Sequence, residues 1–189
     1  MRTNAVLLSV AVITMALSGC KPTNQLTLPA PDMVEYELPC GNYDHDTPEY
    51  FTGLGTAENI NEQSARDAAL KAAKSMVREK VGGMAKGLST DYSKTMRGNA
   101  AQTDVSSIIE GEIVTVINRM LNDSEKTCER NFRTNTGTYK AYIAITISKK
   151  ELAQKTSSAL DENDKLRMMY DREQFRKFME AYMEGLKNQ

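Results

Sequence analysis

Tryptophan is absent from this 189-residue chain, histidine occurs once, cysteine three times and proline five times. A single histidine excludes a multi-histidine metal centre, and three cysteines with no Cys-x-x-Cys pair argue against redox catalysis. Neither sign of charge is in excess: 24 Lys and Arg face 25 Asp and Glu. The first 19 residues hold Arg2 and no acidic residue, so without them the balance is 23 against 25. Nucleic-acid binding needs a clustered Lys/Arg excess to neutralise phosphates, and this near-neutral balance argues against it. No Gly-x-Ser-x-Gly elbow is present, which leaves His45 without the local frame of a serine hydrolase.

Long apolar runs are also missing, with one exception. Residues 5–17 are apolar, follow Arg2 and are too few for a permanent membrane-spanning helix, so residues 1–19 read as a secretory signal. The run ends in Leu17-Ser18-Gly19-Cys20, which resembles the bacterial lipobox, where a cysteine is diacylated before signal peptidase II cuts in front of it. The resemblance implies cleavage between Gly19 and Cys20. It also implies a diacylglycerol and an N-acyl chain such as palmitate on Cys20, with no other cofactor expected. Each buried CH₂ contributes about 0.8 kcal/mol, so two or three acyl chains hold a protein on a bilayer essentially permanently. Residues 20–33 are polar and carry Pro22, Pro29 and Pro31, the composition of an extended tether. In lipoproteins of this kind an Asp after the lipidated residue retains the chain in the inner membrane. Lys21 stands there instead, so the expected location is the outer membrane, on its periplasmic face because the tether has no acidic run.

With Cys20 assigned to lipid, Cys40 and Cys128 remain in an oxidising compartment. An even remainder suggests a disulfide, and two buried free thiols are the other reading. The pair lies 88 residues apart, a loop whose closure is worth roughly 4 to 5 kcal/mol in the chain-entropy model.

Residues 34–160 read as one α+β domain, a small antiparallel sheet with helices packed on one face, followed by a C-terminal amphipathic helix over 161–189. A short strand is expected at 34–38, then a turn-rich loop at 41–48, then a strand at 50–57 containing Gly53 and Gly55. Glycines inside a strand mark a bulge or a close approach by another element. Asn59 or Asn61 can cap the following helix, whose stripe Ala65, Ala68, Ala69, Ala72, Met76 has the 3.6-residue period. Gly82-Gly83 is expected to break or kink it, with a second piece at 84–96 and a loop at 97–104. Val105, Ile108, Ile109, Ile113, Val116, Ile117 and Met120 recur at helical spacing, although their β-branching keeps a strand reading open. Strands at 126–133 and 138–148 are joined by Asn135-Thr136-Gly137. In the second, Tyr139, Ala141, Ile143, Ile145 and Ile147 share one face, and the mixed opposite face implies helices on one side only.

Tyr50-Phe51-Thr52-Gly53-Leu54-Gly55, then Ala65-Arg66-Asp67-Ala68-Ala69-Leu70, then Gly137-Thr138-Tyr139-Lys140-Ala141-Tyr142-Ile143-Ala144-Ile145 resemble the twenty-kilodalton outer-membrane lipoprotein family, here termed Lpp-twenty-like. The resemblance covers roughly residues 40–152. It implies helices over one antiparallel sheet, similar to a domain of flagellar-ring accessory proteins. It carries over no established enzymatic chemistry and no catalytic residues.

Other constellations weigh less. Gly53-x-Gly55 invites a dinucleotide loop, but the third glycine would fall at Glu58, whose charge opposes a pyrophosphate. Asp44-His45-Asp46 with Glu49 contains metal-ligand types, yet adjacent residues rarely converge on one ion, and a solvated loop is favoured. Met168, Met169, Met179 and Met183 with Phe175, Phe178 and Tyr182 read first as core. Their alternative is an adaptable surface for a partner helix, of which a homodimer seam is one version. The expectation is therefore a non-enzymatic envelope module facing an unidentified protein or cell-wall partner. The rivals are a lipid or small-ligand carrier, with its cavity between the Ala-faced helix and the sheet, and a periplasmic hydrolase built on His45 and the nearby carboxylates.

Overall fold

A computed structural model describes residues 37–95, 102–163 and 171–185. The lipobox, the tether, Leu166, Met168, Met169 and Tyr170 lie outside the described residues. The order is a 3₁₀ turn at Gly41–Tyr43, β1 (Tyr50–Asn59), α1 (Glu62–Thr95), α2 (Gln102–Asp123), β2 (Lys126–Arg133), β3 (Tyr139–Ser148), α3 (Lys149–Asp161) and α4 (Arg172–Gly185). The strands form one antiparallel sheet in the order β1-β3-β2, which gives the expected α+β class.

The sheet is built on β3. Its partners in β1 run from Tyr50 opposite Ser148 to Asn59 opposite Tyr139, so Phe51, Gly53, Gly55 and Ala57 share a face with Ile147, Ile145, Ile143 and Ala141. α1 covers that face. Asn61 caps it, its side-chain oxygen accepting from Ser64 N at 3.0 Å. Ala65, Ala69, Ala73, Val77 and Val81 are fully buried, whereas Ala68, Ala72 and Met76 are exposed. The buried stripe is therefore a four-residue ridge turned away from the expected one, because the two β1 glycines admit the backbone at Ala69 and Ala73. A Cβ on Gly55 would stand 2.5 Å from Ala73 N, and one on Gly53 2.8 Å from Val77 Cγ2.

α1 is not broken at Gly82-Gly83: it is one helix of 34 residues. Two helix-interior glycines cost only about 1 kcal/mol each relative to alanine. Val81, Met84, Ala85, Leu88 and Tyr92 around them are buried in the core that α1 shares with α2 and α4 and outweigh that cost. The 84–96 segment thus belongs to α1, up to Thr95. α2 takes in Gln102–Asp104, which had been expected in a loop. It is helical because Val105, Ile109, Ile113, Val116, Ile117, Met120 and Leu121 put one continuous apolar face into the core.

Further differences concern the ends of the chain. Glu37 and Leu38 are not in a strand, Pro39 and Cys40 form a turn, and Cys40 adopts the left-handed conformation at φ 59°. The helix expected over 161–189 is not continuous: Asp161 ends α3, and α4 starts at Arg172 with Asp171 as its cap, accepting from Gln174 N at 3.0 Å. Phe175, Met179 and Met183 are buried in the same core as Leu88, Ile109 and Leu160. Tyr92 meets Phe175 edge-on at 5.1 Å and Phe178 at 5.6 Å, and burial together with the charge of Asp171 pushes the Tyr92 hydroxyl above its ordinary pKa of 10.

Candidate functional site

Cys40 and Cys128 are joined, with a Cα–Cα distance of 5.9 Å. Cys128 lies opposite Ala144 on the face of the sheet that α1 does not cover. The bond therefore straps the Glu37–Tyr43 segment over that second face, and the turn at Gly41–Tyr43 lies over β1 and β3. Tyr142 and Ala144 are buried beneath it, which is why β3 is covered on both sides although helices pack on only one.

Between this strap and β2 runs an open groove of about 770 Å³, with Leu38 and Tyr43 on one wall and Thr127, Arg130 and Phe132 on the other. Leu38 is 37% exposed and Phe132 47%, two of the few large apolar side chains left in solvent. Phe132 rests edge-on against Tyr142 at 5.9 Å, and Lys140 Nζ lies 5.4 Å from the centre of the Tyr142 ring. Its lining combines the apolar Leu38 and Phe132 with the charged Glu37 and Arg130.

On the α1 side of β2, Glu129 is the centre of an ion cluster. It accepts from Lys126 Nζ at 2.5 Å and Asn131 Nδ2 at 3.1 Å, and Arg66 Nε from α1 approaches to 2.5 Å. The hydrogen bond from Lys126, then that from Asn131, then Arg66 hold its carboxyl at about 2, well below the ordinary 4.5. Arg66 stands in the segment that carries the family resemblance, but its partner 63 positions away was not readable from spacing.

The side chains of the Asp44-His45-Asp46 loop do not converge on one point. His45 Nδ1 pairs with Asp44 at 2.5 Å in solvent. Asp46 turns the other way, accepting from Lys80 Nζ at 2.7 Å and from Thr52 N at 2.9 Å. Lys80 also donates to Thr52 O at 2.8 Å. Buried Lys149 reaches Thr47 O at 2.8 Å across the Phe51 ring. These bonds fasten the loop to the start of β1. Among the described residues no group of three His, Cys, Asp or Glu converges as metal ligands. Gly53 and Gly55 lie inside β1 under α1, so they face a helix backbone and not a phosphate. At these two glycines the helix rests directly on the strand, where the carrier reading places its cavity.

No protein-family profile, curated protein or solved structure matches the chain.

Proposed function

We propose that the chain is an envelope lipoprotein whose α+β unit is a non-enzymatic interaction module, held on the periplasmic face of the outer membrane by acyl chains on Cys20. The observation that carries this reading is the Cys40–Cys128 bond, since a crosslink over 88 positions belongs to a protein matured in an oxidising compartment. Export is the role assigned to the apolar leader, and Leu17-Ser18-Gly19-Cys20 supplies the attachment chemistry. The similarity of the β1, α1 and β3 segments to Lpp-twenty-like lipoproteins supports the same reading. The groove between Leu38 and Phe132 is the surface offered to a protein or cell-wall partner.

The test is metabolic labelling with palmitate and membrane fractionation. The wild-type chain takes up label and sediments with outer membrane, and Cys20→Ser abolishes both. Tight membrane association of Cys20→Ser would overturn the lipid assignment. Crosslinking in intact cells, compared between wild type and Phe132→Ser, then identifies the partner.

A further inference from the structure

The two edges of the sheet differ. On β1, the outward-facing peptide groups of Tyr50 and Thr52 are occupied. Tyr50 N donates to Thr47 Oγ1 at 3.0 Å and Thr47 N to Tyr50 O at 3.0 Å, while Asp46 and Lys80 engage Thr52. On β2 the direction of each peptide group follows from the hairpin. Thr134 N donates to Thr138 O at 2.8 Å, so Thr134 and, by the two-residue period, Phe132 and Arg130 bond inward to β3. Glu129, Asn131 and Arg133 consequently point theirs outward. There the one partner among the described residues is Arg130 Nη1, on Glu129 O at 3.1 Å. Residues 130–133 are exposed on both faces of the strand.

An edge of this kind pairs with another chain unless something prevents it. Here the sequence is self-complementary under a two-fold axis. Antiparallel pairing centred on Asn131 sets Glu129 opposite Arg133 of the second copy on the helix side, matching opposite charges. On the other side it sets Arg130 opposite Phe132 of the second copy, a cation over an exposed ring. The same operation on β1, centred on Thr56, would set Leu54 opposite Glu58, which is unmatched, and Glu58 already accepts from Thr138 Oγ1.

We propose that β2 is a homodimer edge: two copies pair β2 to β2 through Asn131, giving one continuous sheet in the order β1-β3-β2-β2-β3-β1. Such a pairing is isologous and closed, so it ends at two copies. Arg130 gives up the Glu129 carbonyl to the second copy's main chain, and about six main-chain hydrogen bonds form along the seam. The two strap-bordered grooves, each walled by its own β2, then meet across the axis as one trough. This pairing leaves the C-terminal helix out of the seam, consistent with Phe175, Met179 and Met183 being taken up in the core.

The experiment is mild copper oxidation of the purified full-length chain carrying Asn131→Cys, with Thr56→Cys as the control on the opposite edge. Directly opposed residues in a hydrogen-bonded pair lie about 5.5 Å apart at Cα, within disulfide reach. Asn131→Cys is expected to run as a crosslinked dimer and Thr56→Cys as a monomer. A monomeric Asn131→Cys that retains its Cys40–Cys128 bond, or equal crosslinking of both variants, overturns the proposal. Should Asn131→Cys fail to fold, sedimentation equilibrium decides. The unsubstituted chain is a dimer, Arg133→Glu weakens it by about tenfold or more, and adding Glu129→Arg to Arg133→Glu restores it. A monomeric unsubstituted chain, or a dimer indifferent to Arg133→Glu, overturns the proposal equally.

Discussion

Gly55 lies directly beneath Ala69: a Cβ at Gly55 would overlap the Ala69 carbonyl oxygen and stand 2.5 Å from the amide nitrogen of Ala73. One hydrogen atom on a strand thus sets how closely a 34-residue helix approaches its sheet. Gly53 does the same one pleat away, against Ala73 and Val77.

Glycine position therefore decides the sign of an alanine substitution. Gly55→Ala is expected to destabilise the fold by about 3 kcal/mol, because the obstacle is backbone and cannot turn aside. Gly82→Ala and Gly83→Ala meet nothing within 4 Å and should each stabilise by about 1 kcal/mol through helix propensity. Urea denaturation of the three variants checks this. A Gly55→Ala protein as stable as wild type would refute the close-approach account.

Loss of the Cys40–Cys128 bond should be felt in stability and on the second face of the sheet. Cys128→Ser is expected to lower unfolding free energy by up to about 5 kcal/mol, the loop-entropy limit for a crosslink of this span. It should also increase hydrogen exchange at Tyr142 and Ala144, which the strap covers. Non-reducing peptide mapping of the wild type should recover the linked peptide; two alkylatable thiols there would sink the idea.

Acid should act through Glu129. Its carboxyl ionises at about 2 in the fold and at the ordinary 4.5 when unfolded, so the folded state favours the charged form. The resulting stability is fully present above pH 4.5 and is lost as pH falls from 4.5 towards 2. Glu129 is 21% exposed, so solvent screening limits the effect to about 1 kcal/mol or less. Glu129→Gln should be less stable than wild type at pH 7 and converge on it near pH 2. A constant difference between the two across that range would contradict the assignment.

In α3, Thr156 Oγ1 and Ser157 Oγ are buried with no hydrogen-bond partner among the described residues. Thr156→Val keeps the shape and removes the desolvated hydroxyl. It is expected to raise stability by about 1 kcal/mol, read as an upward shift of a few degrees in melting temperature. A fall in melting temperature would mean that the hydroxyl is satisfied after all.

Much of the fold was legible because local patterns and burial agreed. The alternation along β3 named its buried face, the spacing of Val105 to Met120 outweighed the β-branching of those residues, and the turn at Asn135-Thr136-Gly137 placed the hairpin. α3 carries a local start signal in the sequence. Ser148 and Glu151 form the N-terminal half of a capping box, with Ser148 Oγ accepting from Glu151 N at 3.2 Å. The candidate groove was not legible, since it pairs Leu38 with Phe132 through a crosslink and a hairpin.

The sequence by itself determined the α+β class and the antiparallel hairpin, because side-chain period and turn chemistry act within a few residues of each other. It also determined the lone cysteine pair of the domain. Only the tertiary structure decided which ridge of α1 faces the sheet, because that depends on where two glycines of β1 lie after folding. The continuity of α1 through Gly82-Gly83 was settled there too, since packing against α2 and α4 outweighs a small local propensity. The same holds for β2. Its charges look like an ordinary solvated strand until the sheet order makes it an edge and the hairpin parity turns Glu129, Asn131 and Arg133 outward.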